Sequence, residues 1–199
     1  MTPAESAQQK DFARAFNGEV VRWSLNYSGL PQDCRALVVA HAAYESGWGL
    51  SYAFRHGFNF GNITSGPTWG GQVLVQPNAD WEYKAASTSP GPDWADAGHG
   101  QWRRRIAQTW RAYANAQEAL ADYWRVLGWP RYQRARLALT RGDVDGFCRE
   151  LGPDAGLPYR GGYYTLPTAD YTAGLKQRLA LVRLYLQPDP APTPPLPAA

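Results

Sequence analysis

The chain of 199 residues has the size of one domain, or of one domain with a tail, since domains usually hold roughly 100 to 200 residues. Hydrophobic residues make up 44% and charged residues 19%, a balance that excludes a disordered chain and a charge-rich coiled coil. The net charge of +3 comes mostly from scattered arginines, a weaker basic pattern than nucleic-acid binding usually requires. We therefore expect a globular protein without a nucleic-acid partner.

Aromatic residues are unusually frequent, because 9 Trp, 12 Tyr and 6 Phe account for 14% of the chain. Large aromatic side chains fill protein cores, but they also line grooves that bind flat ligands such as sugars or bases. Composition alone favours the core, and the choice between the two interpretations depends on the motifs described below.

The cysteine spacing and the apolar segments bear on metal binding, disulfide formation and cellular location. Cys34 and Cys148 lack the CxxC spacing of zinc and thiol redox sites, so we expect buried thiols and neither a metal nor another cofactor. A disulfide between them is an open alternative, because bridging depends on a distance that only the fold determines. The first 26 residues have no signal-peptide core, and no stretch approaches the roughly 20 apolar residues of a membrane span. We expect synthesis in the cytoplasm and no membrane insertion.

Two helices are predicted in the first quarter of the chain. Thr2 and Glu5 form a capping-box pattern at the start of the first helix, which Gly18 is expected to divide into two pieces. An almost wholly apolar helix is predicted over residues 31–47, between a proline and a glycine. Because its residues are apolar nearly all round, we expect this second helix to be buried.

The sequence of the middle of the chain predicts a small antiparallel sheet. Residues 58–83 form short runs rich in Asn, Gly, Thr, Val and aromatics between turn signals. Residues 84–100 are rich in Ser, Thr, Pro, Gly and Asp, which predicts a surface loop with Trp94 packed back on the protein. The run Arg103–Arg105 predicts a solvated turn, and residues 106–113 predict a further strand.

Helices return in the last part of the chain. Asn115 and Glu118 form a second capping pattern, which begins a helix. Hydrophobic periodicity predicts three more helical segments, at residues 130–139, 143–151 and 168–186. The remaining residues are dominated by proline and predict an extended tail. The predicted organisation is therefore one domain, residues 1–186, followed by a disordered Pro-rich tail, residues 187–199.

The segment Ala-Tyr-Glu-Ser-Gly-Trp-Gly at residues 43–49 places a carboxylate at the end of the apolar helix. Burial of Glu45 there would disfavour its ionised form, which suits a general acid. A helix-terminal glutamate that is simply satisfied by a backbone or tyrosine group is an equally open interpretation. His41 lies one helical turn earlier, and a lone histidine on an apolar helix is more often a hydrogen-bonded core residue than a functional one.

Further motifs follow Glu45 in a definite order. They are Phe58-Asn59-Phe60-Gly61-Asn62-Ile63, Trp69-Gly70-Gly71, Trp81-Glu82-Tyr83, Gly162-Tyr163-Tyr164-Thr165 and Asp170-Tyr171. This order resembles the bacterial cell-wall β-N-acetylglucosaminidases of glycoside hydrolase family 73, which include autolysins, phage lysins and a flagellar rod-associated hydrolase. The resemblance spans roughly residues 30 to 186.

The resemblance implies an α+β, lysozyme-like fold with a mainly helical lobe, a small antiparallel β-lobe and an active-site cleft between them. It implies cleavage of the β-1,4 bond between N-acetylglucosamine and N-acetylmuramic acid in peptidoglycan glycan strands. It also places the general acid on Glu45, the second carboxylate on Glu82 and the family's tyrosine on Tyr171, where this sequence reads Asp-Tyr in place of Asn-Tyr. An addition at residues 157–161 precedes the family's Gly-Tyr turn.

Two carboxylates meet the needs of glycoside hydrolysis, which requires a proton for the leaving oxygen and a base or negative charge near the oxocarbenium-like carbon. Without the family order, Glu82 would be interpreted as a surface strand residue paired with Lys84. The residues expected to line the cleft combine aromatic faces for sugar C–H groups with one amide for an acetamide group. They are Asn59, Phe60, Trp69, Trp81, Tyr83 and Tyr164.

Two other functions are open alternatives. A lytic transglycosylase or muramidase would use Glu45 alone, and a catalytically inactive wall-binding module would need neither carboxylate. Because the substrate lies outside the inner membrane and no signal peptide is visible, we expect export or release by a separate route. The protein is then an antibacterial effector of a type VI secretion apparatus with a periplasmic immunity protein, or a phage-type lysin.

Overall fold

The computed structural model describes residues 2–27, 29–85, 88–152 and 168–187. Its helices are α1 (Pro3–Ser24), α2 (Gln32–Ser46), α3 (Tyr52–Gly57), α4 (Ala116–Leu127), α5 (Gln133–Thr140), α6 (Val144–Leu151) and α7 (Thr168–Tyr185). Its strands are β1 (Val73–Ala85), β2 (Ala95–Gly98) and β3 (Gln101–Arg111), and short 3-10 turns cover Leu25–Tyr27 and Pro130–Tyr132. These elements form two compact units, a helical one up to Tyr44 and from Leu127 onward, and a second one over Glu45–Val126.

Helix α1 begins at the predicted capping box. The Thr2 hydroxyl accepts a bond from the Glu5 amide at 3.2 Å, and the Glu5 carboxylate accepts one from the Thr2 amide at 2.6 Å. The predicted division at Gly18 is wrong, because the helix continues through this residue to Ser24. A glycine inside a helix costs only about 1 kcal/mol relative to alanine, and the burial of Phe16 and Val20 on either side offsets that cost.

Helix α2 is buried, as its apolar sequence predicts, and every residue from Ala36 to Ala43 is shielded from solvent. Cys34 on α2 and Cys148 on α6 are also buried, and neither forms a disulfide. This confirms the prediction of buried thiols over the open alternative of a bridge. Burial raises the pKa of each thiol to about 11, because the thiolate would lose its hydration in the core.

The two thiols should therefore resist alkylation in the native protein. At pH 8 a pKa of about 11 leaves on the order of one thiol in a thousand as the reactive thiolate, and burial blocks access to both sulfurs. Iodoacetamide at pH 8 should modify neither cysteine under native conditions and both in denaturant, as counted by intact-protein mass spectrometry. Rapid native labelling of either residue would contradict the buried placement.

The remaining helices of the helical unit follow their predicted positions closely. Helix α6 begins at Asp143, whose carboxylate accepts a bond from the Gly146 amide at 2.9 Å. Helix α7 buries Leu175, Leu179 and Val182 at helical spacing and packs against α1 and α6. None of the described helices is both long and apolar enough to cross a lipid bilayer.

The second unit contains an antiparallel sheet with the strand order β1-β3-β2, so that β3 is central. The register places Glu82 of β1 opposite Arg104 of β3. Between Gln76 and Asp80 the ladder is interrupted by a bulge, where residues 77–79 face a single residue of β3. The bulge accommodates a proline, which has no N–H for a ladder, and Asn78, which adopts a left-handed φ of 52°.

Two local predictions in this unit are wrong. The run Arg103–Arg105 lies inside β3 and not in a solvated turn, and β2 forms within the predicted loop over residues 84–100. Opposite charges on directly opposed residues of neighbouring strands stabilise a sheet. Here the carboxylate of Glu82 on β1 pairs with Arg104 on β3. Trp94 packs back on the protein as predicted, because the Arg104 guanidinium lies 4.9 Å from the centre of its ring.

Candidate active site

Glu45 lies in the last turn of α2 and is half-buried. The helix ends there because the next residues turn sharply, with left-handed φ values at Gly47 (57°), Trp48 (59°) and Gly49 (80°). The Ser46 hydroxyl accepts a bond from the Gly49 amide at 2.9 Å, and the Trp48 side chain is buried. The Glu-Ser-Gly-Trp-Gly motif thus ends the helix immediately after the carboxylate and anchors the turn that follows.

Asn62 contacts the Glu45 carboxylate, and it is not among the predicted site residues. Its amide nitrogen donates to the Glu45 carbonyl oxygen at 2.8 Å and to Glu45 Oε2 at 3.0 Å. Asn62 adopts a left-handed φ of 49°, a conformation that asparagine tolerates better than most residues. The Gly-Asn pair inside the Phe58–Ile63 motif was the available signal for such a turn.

Asn59 and Phe60 lie in the interior, which differs from their predicted contact with sugar. The Asn59 amide donates to the carbonyls of Ile63 at 2.8 Å and Arg111 at 2.9 Å, and its oxygen accepts from the Ile63 amide at 2.9 Å. Phe60 is 1% exposed and packs on Tyr123, with ring centroids 5.1 Å apart. Both residues support the loop that carries Asn62, because bonding an acetamide would require Asn59 to release its buried partners.

Glu82 projects from β1 and pairs across the ladder with Arg104. Arg104 Nε lies 2.6 Å from Glu82 Oε2, and the two side chains are 42% and 43% exposed. The residue directly opposite on a neighbouring strand lies closer than the residue two positions along the same strand. For this reason the observed partner is Arg104 and not Lys84.

Trp69 lines a pocket within the second unit. Its indole nitrogen donates to the Gln72 carbonyl at 2.8 Å, and the Arg111 guanidinium lies 4.7 Å from its ring centre. The pocket has a volume of about 600 Å³ and is lined by Trp69, Gly71, Gln72, Ala112, Tyr113, Ala114, Glu118, Ala121, Asp122 and Arg125. Of the predicted site residues with described side chains, Trp69 contributes to this lining, whereas Glu45 and Glu82 do not.

A charged network forms part of the lining of this pocket and was not predicted. Asp122 Oδ2 accepts from Arg111 Nη1 at 2.8 Å and from the Tyr113 hydroxyl at 2.7 Å, while Oδ1 accepts from Arg125 Nε at 2.9 Å. Burial alone would raise the pKa of Asp122, but the bonds from Tyr113, Arg111 and Arg125 outweigh it and lower the pKa. Burial and the neighbouring Asp122 carboxylate raise the pKa of Tyr113 well above its ordinary range.

Tyr171 lies in the helical unit and is 1% exposed. A hydrogen bond of 2.8 Å joins its hydroxyl to Nε2 of His41, and its ring meets that of Tyr44 edge-on at 4.8 Å. The interpretation of His41 as a hydrogen-bonded core residue is confirmed, since it is fully buried and packs on Phe147 as well. Tyr171 therefore occupies the first turn of α7, against the helix whose last turn carries Glu45.

Several predictions fall outside what the structure describes. Tyr164 lies outside the described residues, as does the Pro-rich segment from residue 188 onward, and the side chains of Trp81 and Tyr83 are not described. Within the described ranges, no group of three or more His, Cys, Asp or Glu side chains is arranged to hold a metal ion.

The fold is shared with two solved hydrolases. A peptidoglycan hydrolase mutant from Sphingomonas sp. A1 is 24% identical, with a TM-score of 0.53 over 93% of this chain and 98% of that chain. The catalytic domain of the autolysin Auto from Listeria monocytogenes is 19% identical, with a TM-score of 0.59 over 93% of this chain and 88% of that chain. Comparison with curated proteins gives no match. The two likenesses confirm the predicted fold class, α+β and lysozyme-like.

The sequence profile of a hydrolase family covers most of the same region. The profile of the glucosaminidase family, described as mannosyl-glycoprotein endo-beta-N-acetylglucosaminidase, matches residues 32–176. The protein belongs to the glucosaminidase family, and it is a glycoside hydrolase. Glu45 and Glu82 both lie within the matched region, as does the loop that carries Asn62.

Proposed function

We propose that the protein is an endo-β-N-acetylglucosaminidase that cleaves the β-1,4 bond between N-acetylglucosamine and N-acetylmuramic acid in peptidoglycan. Membership of the glucosaminidase family supports the reaction, and the two hydrolases that share the fold support the substrate. The observation that carries the assignment of roles is the setting of each carboxylate, since Glu45 is half-buried in the last turn of α2 and Glu82 pairs across the sheet. Glu45 is bonded by the neutral amide of Asn62, and Glu82 is paired with the cationic guanidinium of Arg104.

The bond from the Asn62 amide is compatible with Glu45 as a general acid. An amide N–H can bond a carboxyl oxygen whether or not that carboxyl carries its proton. In the proposed reaction Glu45 gives its proton to the glycosidic oxygen as the bond to the anomeric carbon breaks. Asn62 holds the carboxyl in one orientation throughout this transfer.

The cationic partner of Glu82 suits a group that works as an anion. In the proposed reaction Glu82 stabilises the positive charge that develops at the anomeric carbon, or activates the water that attacks it. The family's tyrosine falls on Tyr171, which is hydrogen-bonded to His41 on α2, the helix whose last turn contains Glu45. We propose that Tyr171 takes part in the active site, with Trp69, Trp81, Tyr83 and Tyr164 as candidate sugar contacts.

Mass spectrometry of fragments released from purified peptidoglycan tests the proposed function. The wild type should release fragments with N-acetylglucosamine at the reducing end, and Glu82→Gln should release almost none. Glu19→Gln is the matched control, because Glu19 is also paired with an arginine, Arg22 at 2.9 Å, on α1. Anhydro ends together with activity in Glu82→Gln would identify a transglycosylase that uses Glu45 alone. Complete absence of release by the wild type would favour a wall-binding module.

Asn62→Gly should reduce kcat about tenfold, because the Glu45 carboxyl loses the donor that orients it. Glycine is chosen because it accepts the left-handed φ of 49° without strain, so the change removes the side chain and its two bonds to Glu45 and adds no backbone strain. Initial rates on solubilised glycan strands measure the effect, and thermal unfolding checks that the loop is intact. An unchanged kcat in a folded variant would show that Asn62 does not orient Glu45.

We also propose that the enzyme acts on peptidoglycan outside the cytoplasm, as an antibacterial effector of a type VI secretion apparatus or as a phage-type lysin. The location of the substrate supports this proposal, and an effector would need a periplasmic immunity protein to protect its producer. Expression directed to the periplasm should lyse cells, whereas cytoplasmic expression should not. A small adjacent gene whose periplasmic product prevents lysis would favour the effector, and an adjacent holin gene the lysin. Harmless periplasmic expression would contradict both.

A further inference from the structure

Arg104 connects all three strands of the sheet. It lies on the central strand β3, opposite Glu82 on β1, and its Nε is 2.6 Å from Glu82 Oε2. On the other side, the Arg104 guanidinium lies 4.9 Å from the ring centre of Trp94, the residue directly before β2. The backbone of Trp94 lies in a turn, in which its amide donates to the Gly91 carbonyl at 3.2 Å. One guanidinium therefore links this aromatic ring to the Glu82 carboxylate.

This arrangement restricts side chains that would otherwise be mobile. A glutamate and an arginine near the surface each populate many rotamers, and a single ion pair between them orders both only weakly. A planar guanidinium stacked on an indole ring loses much of that freedom, because cation–π contact and flat packing favour one orientation. With both side chains about two-fifths exposed, the pair contributes little to folding, and its main effect is on the orientation of Glu82.

We propose that Arg104, held against Trp94, is a positioning residue that orients the Glu82 carboxylate for cleavage of the glycosidic bond. The inference rests on the proposed function, in which Glu82 is the second carboxylate of the reaction. Arg104 acts through Glu82. Trp94 acts one step further away, through Arg104.

Steady-state kinetics of Arg104 and Trp94 variants on solubilised glycan strands tests this role. Arg104→Gln should lower kcat about tenfold and leave KM unchanged, because the reacting group is misplaced while binding is retained. Arg104→Lys keeps the charge without the planar group and should lose about threefold. Trp94→Ala keeps the guanidinium without its support and should also lose about threefold. Arg22→Gln is the matched control, because Arg22 is also paired with a glutamate, Glu19 at 2.9 Å on α1, and this variant should keep the wild-type kcat.

A double variant separates action through Glu82 from an independent effect. If Arg104 works by orienting Glu82, adding Arg104→Gln to Glu82→Gln should cause no further loss of residual activity. The inference would be overturned if the activity losses of Arg104→Gln and Glu82→Gln multiplied in the double variant. It would also be overturned if Arg104→Gln raised KM with unchanged kcat, or if Arg104→Gln and Trp94→Ala both kept the wild-type kcat. If Arg104→Gln fails to fold by circular dichroism, Trp94→Ala carries the test. Absence of hydrolysis by the wild type would instead refute the proposed function itself.

Discussion

Glu45→Gln should reduce kcat for glycan cleavage by about 10²- to 10⁴-fold, the usual contribution of a positioned general acid. Glutamine keeps the shape of the side chain, and the Asn62 amide can still bond its oxygen, so the change removes little except the transferable proton. The leaving alkoxide of a sugar is a poor leaving group without that proton. Product release from peptidoglycan, followed over time by mass spectrometry, measures the loss.

A second substrate distinguishes loss of the proton from general damage. A chitooligosaccharide with a nitrophenyl leaving group needs little protonation, so the deficit of Glu45→Gln should be much smaller on it than on peptidoglycan. Glu19→Gln should retain wild-type rates on both substrates, because Glu19 lies on the surface of α1. A variant of Glu45 that keeps more than a tenth of the wild-type rate on peptidoglycan would show that another group supplies the proton.

Asp122→Ala should strongly destabilise the protein. It leaves the Arg111 cation, which is only 4% exposed, without its carboxylate, and breaking a buried ion pair in this way costs about 3–5 kcal/mol. For a chain of this length such a loss lowers Tm by about 10 °C. Differential scanning calorimetry at pH 7 measures the change.

Tyr113→Phe is the matched control for this prediction. It removes one bond to the Asp122 carboxylate and keeps the ion pair with Arg111, so it should cost only about 1 kcal/mol. If Asp122→Ala were no more destabilising than Tyr113→Phe, the ion pair would not be important for stability.

The same network predicts how stability changes with pH. The bonds to Asp122 hold its pKa below the ordinary value of 3.8 in the folded state, despite the opposing effect of burial. Its contribution to stability is therefore complete at pH values above that ordinary value and is lost as pH falls through the lower, folded pKa. The difference in Tm between the wild type and Asp122→Ala should be large at pH 7 and should shrink at pH 2. A difference independent of pH would exclude this linkage.

Features set by neighbouring residues were predictable from the sequence. The capping patterns at Thr2 and Asn115 each depend on residues three positions apart, and both occur in the structure. The position of Glu45 was predictable for the same reason, because Gly47 and Gly49, which follow the end of α2, lie two and four residues after it. The α+β class follows from the same local patterns together with the resemblance to a family.

Features set by distant residues were not predictable. The arginines from Arg103 to Arg105 predict a turn when considered locally. The partner that accompanies Arg104 in the sheet is Glu82 on β1, which lies 22 residues earlier in the chain. Asn59 and Phe60 belong to the correct motif, but their burial depends on Arg111 and Tyr123, which come from other elements. The Asp122 network likewise joins a strand end to a helix. In each case the deciding contact lies in tertiary structure, which a local pattern does not contain.

Because of the bulge in β1, the position of Glu82 opposite Arg104 does not depend on the length of the strand. Pairing resumes at Asp80 opposite Ile106, so the register beyond the bulge does not depend on how many residues the bulge contains. Removing two of residues 77–79 would restore an ordinary ladder and still leave Glu82 opposite Arg104. Insertions and deletions at this point therefore leave Glu82 opposite Arg104, and we expect length variation among related hydrolases to concentrate there.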